Sequence, residues 1–328
     1  MAPTARRPRT LLGLSAVTAA LLAAAVVATP VLAALPGFGW PVQSVGNRGA
    51  DVKAIQSLLR GHGVTVIFDG TFTLDTRSAV MGFQAARGMP QTGIVDAATW
   101  EQLVTTVGPG AAPEPVLTLQ RQLNEKRAAG LLTTGTWNEA TAAAVRAFER
   151  HVGLPVDGIA DPGVWRYLIA HFDRPAFSAS TLCDYSVGNG LANWGTGATI
   201  GQLEAAGRAA VIARLGRIPV GDVGLEHGGN IAGHQTHEQG LEVDIRPVRD
   251  ARDQCRWGTN WRLASYDRTA TRVLIKAIRN AAPGHVKLIF FNDPKLIAEG
   301  WTTRFAGHDD HLHVRYCEVE HPVAAYRC

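Results

Sequence analysis

Gly233-His234-Gln235-Thr236-His237-Glu238-Gln239-Gly240-Leu241-Glu242-Val243-Asp244-Ile245 is the stretch that decides how the C-terminal part of the chain folds. After Gly240 it alternates apolar and polar residues as far as Arg246, the pattern of a half-buried strand, with Glu242, Asp244 and Arg246 on its polar face. A second stretch, His308-Asp309-Asp310-His311-Leu312-His313, continues into another alternating segment that ends at Tyr316. On such a strand His311, His313 and Arg315 point to one side while Leu312 and Val314 face a core. Two histidines from one strand can then meet an aspartate from another. A hydrolytic zinc centre needs three nitrogen or oxygen side chains and one position left for water, and His237, Asp244 and His313 are the set expected around Zn²⁺.

Outward from this centre, the glycine-rich loop Gly221–Gly233 precedes the first motif, and a helical pattern around Gln202–Leu215 precedes the loop. A helix is expected from Asp267 to Asn280, and strands over Val286–Phe291 and His311–Tyr316. The mixture predicts an α+β domain over residues 176–328, built on a small, largely antiparallel sheet. All four cysteines, Cys183, Cys255, Cys317 and Cys328, lie here, and an even number in an exported chain favours two disulfides. Three pairings are possible; Cys317–Cys328 with Cys183–Cys255 is preferred. Rival chemistries lack their residues. Position 241 is Leu, so a second histidine one helical turn after His237 is missing; no serine has a lysine three residues on; and no Gly-x-Ser-x-Gly elbow occurs.

The region before residue 175 is internally repeated. Phe72, Phe83, Gly88, Pro90, Gly93, Asp96 and Trp100 recur at a constant offset as Trp137, Phe148, Gly153, Pro155, Gly158, Asp161 and Trp165, and Gln56 matches Gln120 after a short loop insertion or deletion. Apolar spacing is helical in each copy, and Asp96 and Asp161 stand where a third short helix needs an N-cap. Each copy should be a compact three-helix unit with its aromatics in the core. Gly108–Pro115 between them is a linker by composition.

Residues 1–33 have the form of a secretory signal: Arg6, Arg7 and Arg9, an uncharged apolar run from Leu11 to Thr29, and small residues before Ala34. Retention as an N-terminal anchor is the alternative. The formal charge is +4 with 28 acidic residues, so removing those three arginines leaves a chain close to neutral, which excludes a nucleic-acid binder of the usual basic kind. Among histidines outside the two motifs, His62, His151, His171 and His321 are expected to be surface or packing residues. Glu226-His227 in the glycine-rich loop either touches substrate or is merely solvated.

Two family resemblances follow. Gly46-Asn47-Arg48-Gly49-Ala50-Asp51-Val52, Phe68-Asp69-Gly70-Thr71-Phe72 and Gly93-Ile94-Val95-Asp96 resemble the three-helix peptidoglycan-binding domain of bacterial wall enzymes, over residues 40–106 and again over 115–172 with 107–114 between. The second copy departs by having Thr134-Gly135-Thr136-Trp137 in place of Asp69-Gly70-Thr71-Phe72. The two histidine motifs, over residues 176–320, are similar to the penicillin-insensitive murein endopeptidases of the lysostaphin, D-Ala-D-Ala metallopeptidase and hedgehog-like zinc fold. That resemblance implies one Zn²⁺ on His237, Asp244 and His313, hydrolysis of the D-alanyl–diaminopimelate cross-link, and peptidoglycan as partner of a secreted monomer. Asp310 and His311 are equal candidates for the proton acceptor, and His308 and His234 for groups behind the ligands or donors to the oxyanion. A D-Ala-D-Ala carboxypeptidase and a non-catalytic wall-binding protein with a structural zinc are the alternatives. In the latter His234 would close the fourth position.

Overall fold

The duplication is built twice from the same hydrogen bonds. In the computed structural model, which describes residues 39–328 except 187–190 and 235, α1 (Ala50–Gly61), α2 (Leu74–Ala86) and α3 (Ala97–Leu103) form the first unit. The second consists of α4 (Pro113–Arg127), α5 (Glu139–Val152) and α6 (Pro162–Ala170). The signal-like segment lies outside the described residues. Asp96 caps α3 by accepting the Thr99 N–H, and Asp161 caps α6 by accepting that of Val164, both at 2.8 Å. Trp100 and Trp165 are fully buried, and each donates its indole N–H to a carbonyl at 2.8 Å. The Gln56 side-chain oxygen accepts the N–H groups of Asp69 and Gly70, and Gln120 does the same for Thr134 and Gly135. The departure at Thr134-Gly135 therefore leaves the scaffold intact. Pro113 opens α4, so the proline-rich stretch between the copies runs directly into a helix.

The C-terminal domain contains β1 (Leu182–Asp184), α7 (Gly197–Ile212), β2 (Ile218–Val220), β3 (Glu242–Ile245), α8 (Arg268–Ala281), β4 (Val286–Phe290), α9 (Pro294–Ala298) and β5 (Leu312–Tyr316). The sheet order is β1-β2-β3-β5-β4. It is mixed rather than wholly antiparallel: α7 is the crossover that lets β2 return parallel to β1, while the other pairs are antiparallel. Val243 and Ile245, Leu312 and Val314 join residues of α7 and α8 in one core. Alternation then turns Glu242 and Asp244 of β3, and His313 and Arg315 of β5, to the opposite face. That face is not half-exposed as the pattern implies: Glu242, Asp244 and His313 are all buried, because loops close over it. The disulfides are Cys183–Cys255 and Cys317–Cys328.

The helical units dock on this domain. Gly49, ahead of α1, meets Gly201 of α7 backbone to backbone; a Cβ on Gly201 would stand 2.5 Å from the Gly49 Cα, so only glycine permits the approach. Lys126, in the last turn of α4, is fully buried and ties three parts of the chain. Its Nζ lies 2.9 Å from Asp51 of α1 and 3.6 Å from Asp173, where the C-terminal domain begins, and donates to the carbonyls of Ile169 and His171.

Removing one member of a buried ion cluster strands the others, so Lys126→Met should cost about 3–5 kcal/mol and appear as a marked fall in the thermal unfolding midpoint. A second prediction concerns pH. Burial pushes the Glu318 carboxyl, beside the Cys317–Cys328 bridge, up to about 8. Between the unfolded value of about 4.3 and that point the native state holds a proton the unfolded chain has lost, so stability falls as pH rises through this window. Glu318→Gln should flatten that fall, gaining on the order of 2 kcal/mol above about pH 8 and little below about pH 4 in denaturant titrations.

Candidate functional site

Asp244 and His313 are direct partners across the β3–β5 ladder, and Glu242 faces Arg315 one pair along. His313 Nδ1 lies 3.0 Å from Asp244 Oδ1, and its Nε2 lies 3.2 Å from Glu242 Oε1. His237 arrives from the loop before β3. Its Nε2 is 3.4 Å from the same Asp244 Oδ1, and its Nδ1 is 3.1 Å from the Val223 carbonyl. A carbonyl only accepts, so Nδ1 carries the proton and Nε2 presents its lone pair toward Asp244. This Nε2 is buried and has no hydrogen-bond partner. His237 holds φ at 73°, a left-handed conformation that costs a β-carbon residue ~1–2 kcal/mol. The Glu242 carboxylate holds it there by accepting the His237 backbone N–H. Gly240, at φ 63°, completes the turn, and a Cβ there would collide with the Phe172 ring at 2.7 Å.

Electrostatically the centre demands positive charge. Burial works against ionising Asp244, yet the imidazoles of His237 and His313 beside it hold its carboxyl well below the ordinary range. Glu242 is likewise held at about 2, against burial, by His313, the His237 N–H and Arg315. The two carboxylates push His313 up to about 9 despite its burial. Glu242 takes two further donors, Arg315 Nε at 2.6 Å and the Tyr326 hydroxyl at 3.2 Å.

The remaining motif residues surround this trio. His311 Nε2 is 3.8 Å from Asp244 Oδ1 and its Nδ1 is 2.9 Å from Asp310 Oδ1. Asp310 itself turns outward, with 68% of its side chain exposed, and reaches the centre only through His311. The His308 ring stacks near His311 and His313, centroids 4.7 and 5.4 Å away. Its Nδ1 faces the Ala306 carbonyl at 2.9 Å, which leaves Nε2 as an acceptor. His234 Nε2 is 2.8 Å from Asp222, and the donor atoms of His234, His237 and Asp244 lie within 4.8 Å of one another, a grouping of metal-type donors that takes in His234 and leaves out the expected His313. A cleft of about 350 Å³ opens beside His311, lined by Tyr185, Arg246, Asn260, Leu263 and Asp310 among others. The Arg246 guanidinium stacks 4.1 Å over the Tyr185 ring.

Residues 189–288 match the family described as penicillin-insensitive murein endopeptidase. Residues 48–103 and 113–168 each match a putative peptidoglycan binding domain. No curated protein matches the chain. The match to the murein endopeptidase family stops before His308, so it is the β3–β5 pairing that joins the second histidine motif to the first.

Sequence reasoning placed Glu242 on the polar face of β3 without a role. Its alternation with Asp244, and that of Arg315 with His313, was the available signal. Tyr326 gave none, since it reaches Glu242 only from the far end of the chain, next to Cys328. Groups behind metal ligands set affinity, so were Zn²⁺ held by His237, Asp244 and His313, Glu242→Gln should weaken its binding about 10–100-fold in calorimetric titration. Leu263→Ala, in the cleft wall, should leave that affinity unchanged.

Proposed function

We propose that this protein is an exported, zinc-dependent endopeptidase that hydrolyses D-alanyl–diaminopimelate cross-links of murein while its two helical units hold it on the wall. The observation that carries the reading is the donor set. His237 Nε2 and His313 Nδ1 both lie against Asp244 Oδ1, at 3.4 and 3.0 Å, and each imidazole has an acceptor behind it, Val223 O for His237 and Glu242 for His313. That pairing of ligand and outer acceptor is the usual environment of a zinc-bound histidine. A cation held by these three atoms would supply the charge the carboxylates demand, with His313 giving up its extra proton. The chemistry zinc provides in such a site is acidification of water and polarisation of the scissile carbonyl.

The chain's own groups divide the rest of the work. His311 accepts the proton of the attacking water, and Asp310 orients it through the Nδ1 hydrogen bond. The Tyr185 hydroxyl, kept protonated by burial and the nearby Asp244 charge, is the donor suited to the developing oxyanion. His308, with Nε2 as acceptor, is better suited to orienting substrate or water. Arg246 in the cleft offers a cation to a free carboxylate of the stem peptide. A carboxypeptidase would present such a carboxylate too, so the products decide between them. Export is supported by the two disulfides, the wall-binding matches, and the lack, among described residues, of any helix long and apolar enough to cross a membrane.

Cross-linked muropeptide dimers incubated with the zinc-loaded protein and followed by mass spectrometry should convert to monomers. His313→Ala and Asp244→Asn should lose at least ~100-fold in rate. Release of free D-alanine with dimers left intact would assign a carboxypeptidase. If His234→Ala abolishes zinc binding while His313→Ala does not, the ligand set is the one containing His234. Zinc bound and dimers untouched would mean a structural ion.

A further inference from the structure

A second group of metal-type donors lies outside the endopeptidase centre. His151 ends α5, His171 follows α6, and Glu226 and His227 sit in the glycine-rich loop after β2, so two domains contribute. The donor atoms of all four lie within 4.8 Å of one another. Glu226 Oε1 is 3.3 Å from His151 Nε2 and 3.5 Å from His171 Nε2, and those two nitrogens are 3.4 Å apart. His227 Nε2 approaches the other Glu226 oxygen at 4.0 Å. His171 is buried, and its Nδ1 lies 2.7 Å from the Phe172 carbonyl. Nδ1 therefore carries the proton, and the Nε2 lone pair points into the group, the orientation that a backbone carbonyl imposes on metal-binding histidines.

We infer that His151, His171, Glu226 and His227 form a second binding site for a divalent ion of the zinc class, clamping the second wall-binding unit to the loop that leads into the endopeptidase centre. Three imidazoles and one carboxylate suit zinc in number and in kind. Closed by four protein ligands, such a site is structural and not hydrolytic. Burial favours the neutral, ligating form of the imidazoles: with the Arg127 charge it lowers His151 to about 4, and it lowers His171 and His227. The loop conveys the clamp onward. Gly229 donates to the Glu238 carbonyl at 3.1 Å, and Glu238 adjoins His237.

Arg127 stands among these groups, hydrogen-bonded to Glu226 and with Nη1 3.4 Å from His171 Nε2. It is a monovalent cation where the divalent ion would bind, and from the last turn of α4 its long side chain can swing toward solvent. The two readings of the junction thus diverge. If Arg127–Glu226 is the purpose of the cluster, removing Arg127 weakens the junction; if the cluster holds a metal, removing Arg127 removes a competitor.

The test counts ions. Full-length mature protein is stripped with chelator, reloaded with Zn²⁺, desalted and analysed for metal by mass spectrometry, alongside His151→Gln, Glu226→Gln, Arg127→Ala and Asp244→Asn. Circular dichroism in chelator checks that each variant is folded. Two ions are expected in the parent, one in His151→Gln and Glu226→Gln, and two in Arg127→Ala with the junction ion held more tightly, on the order of tenfold. Zinc should raise the unfolding midpoint of Asp244→Asn but not that of Asp244→Asn combined with His151→Gln. A parent with one ion, lost in Asp244→Asn and kept in His151→Gln, would overturn the inference, as would two ions in both parent and His151→Gln. One ion kept in Asp244→Asn and lost in His151→Gln would uphold the junction site and defeat the zinc-endopeptidase reading instead.

Discussion

The antiparallel register of β3 against β5 is the constraint on which the site depends. Asp244 and His313 are paired because Val243 and Ile245, with Leu312 and Val314, must enter the core shared with α7 and α8. A slip of one residue would turn the carboxylates and imidazoles inward and expose four apolar side chains, an exchange far costlier than any contact in the site. Hydrophobic burial thus fixes the polar geometry. The site inherits its precision from the face it does not use.

Around that ladder the polar groups are held by one another. Glu242 accepts from His237, His313, Arg315 and Tyr326, so a single buried carboxylate positions a loop residue, a strand residue and the C-terminal segment together. The left-handed conformation of His237 is maintained by that network and by Gly240. Local strain at one residue is offset by contacts converging from several elements.

The helical units are parts of the same body. Glycine contact between Gly49 and Gly201, and the buried Lys126 with Asp51 and Asp173, give the first and second units a defined orientation on the C-terminal domain. An ion cluster buried this way contributes little net stability but penalises every arrangement that leaves a charge unpaired. Any ligand of the helical units would then meet the cleft in one orientation, where a flexible tether would present many.

Much of this was legible in the chain itself. Strand alternation around Asp244 and His313, the aspartate caps of α3 and α6, and the repeated Gln56 and Gln120 are local or periodic features, set by backbone geometry that each short segment carries with it. What the tertiary structure decided is long-range. The parallel β1–β2 pair, the contact of Tyr326 with Glu242, the choice of Cys183–Cys255 among the possible bridges, and the meeting of His151 and His171 with Glu226 and His227 all join segments distant in sequence. Read singly, His151 and His171 looked like surface or packing residues, because a lone imidazole has no periodicity to reveal its partners. Only the docking of one domain on another brought their lone pairs to a common point.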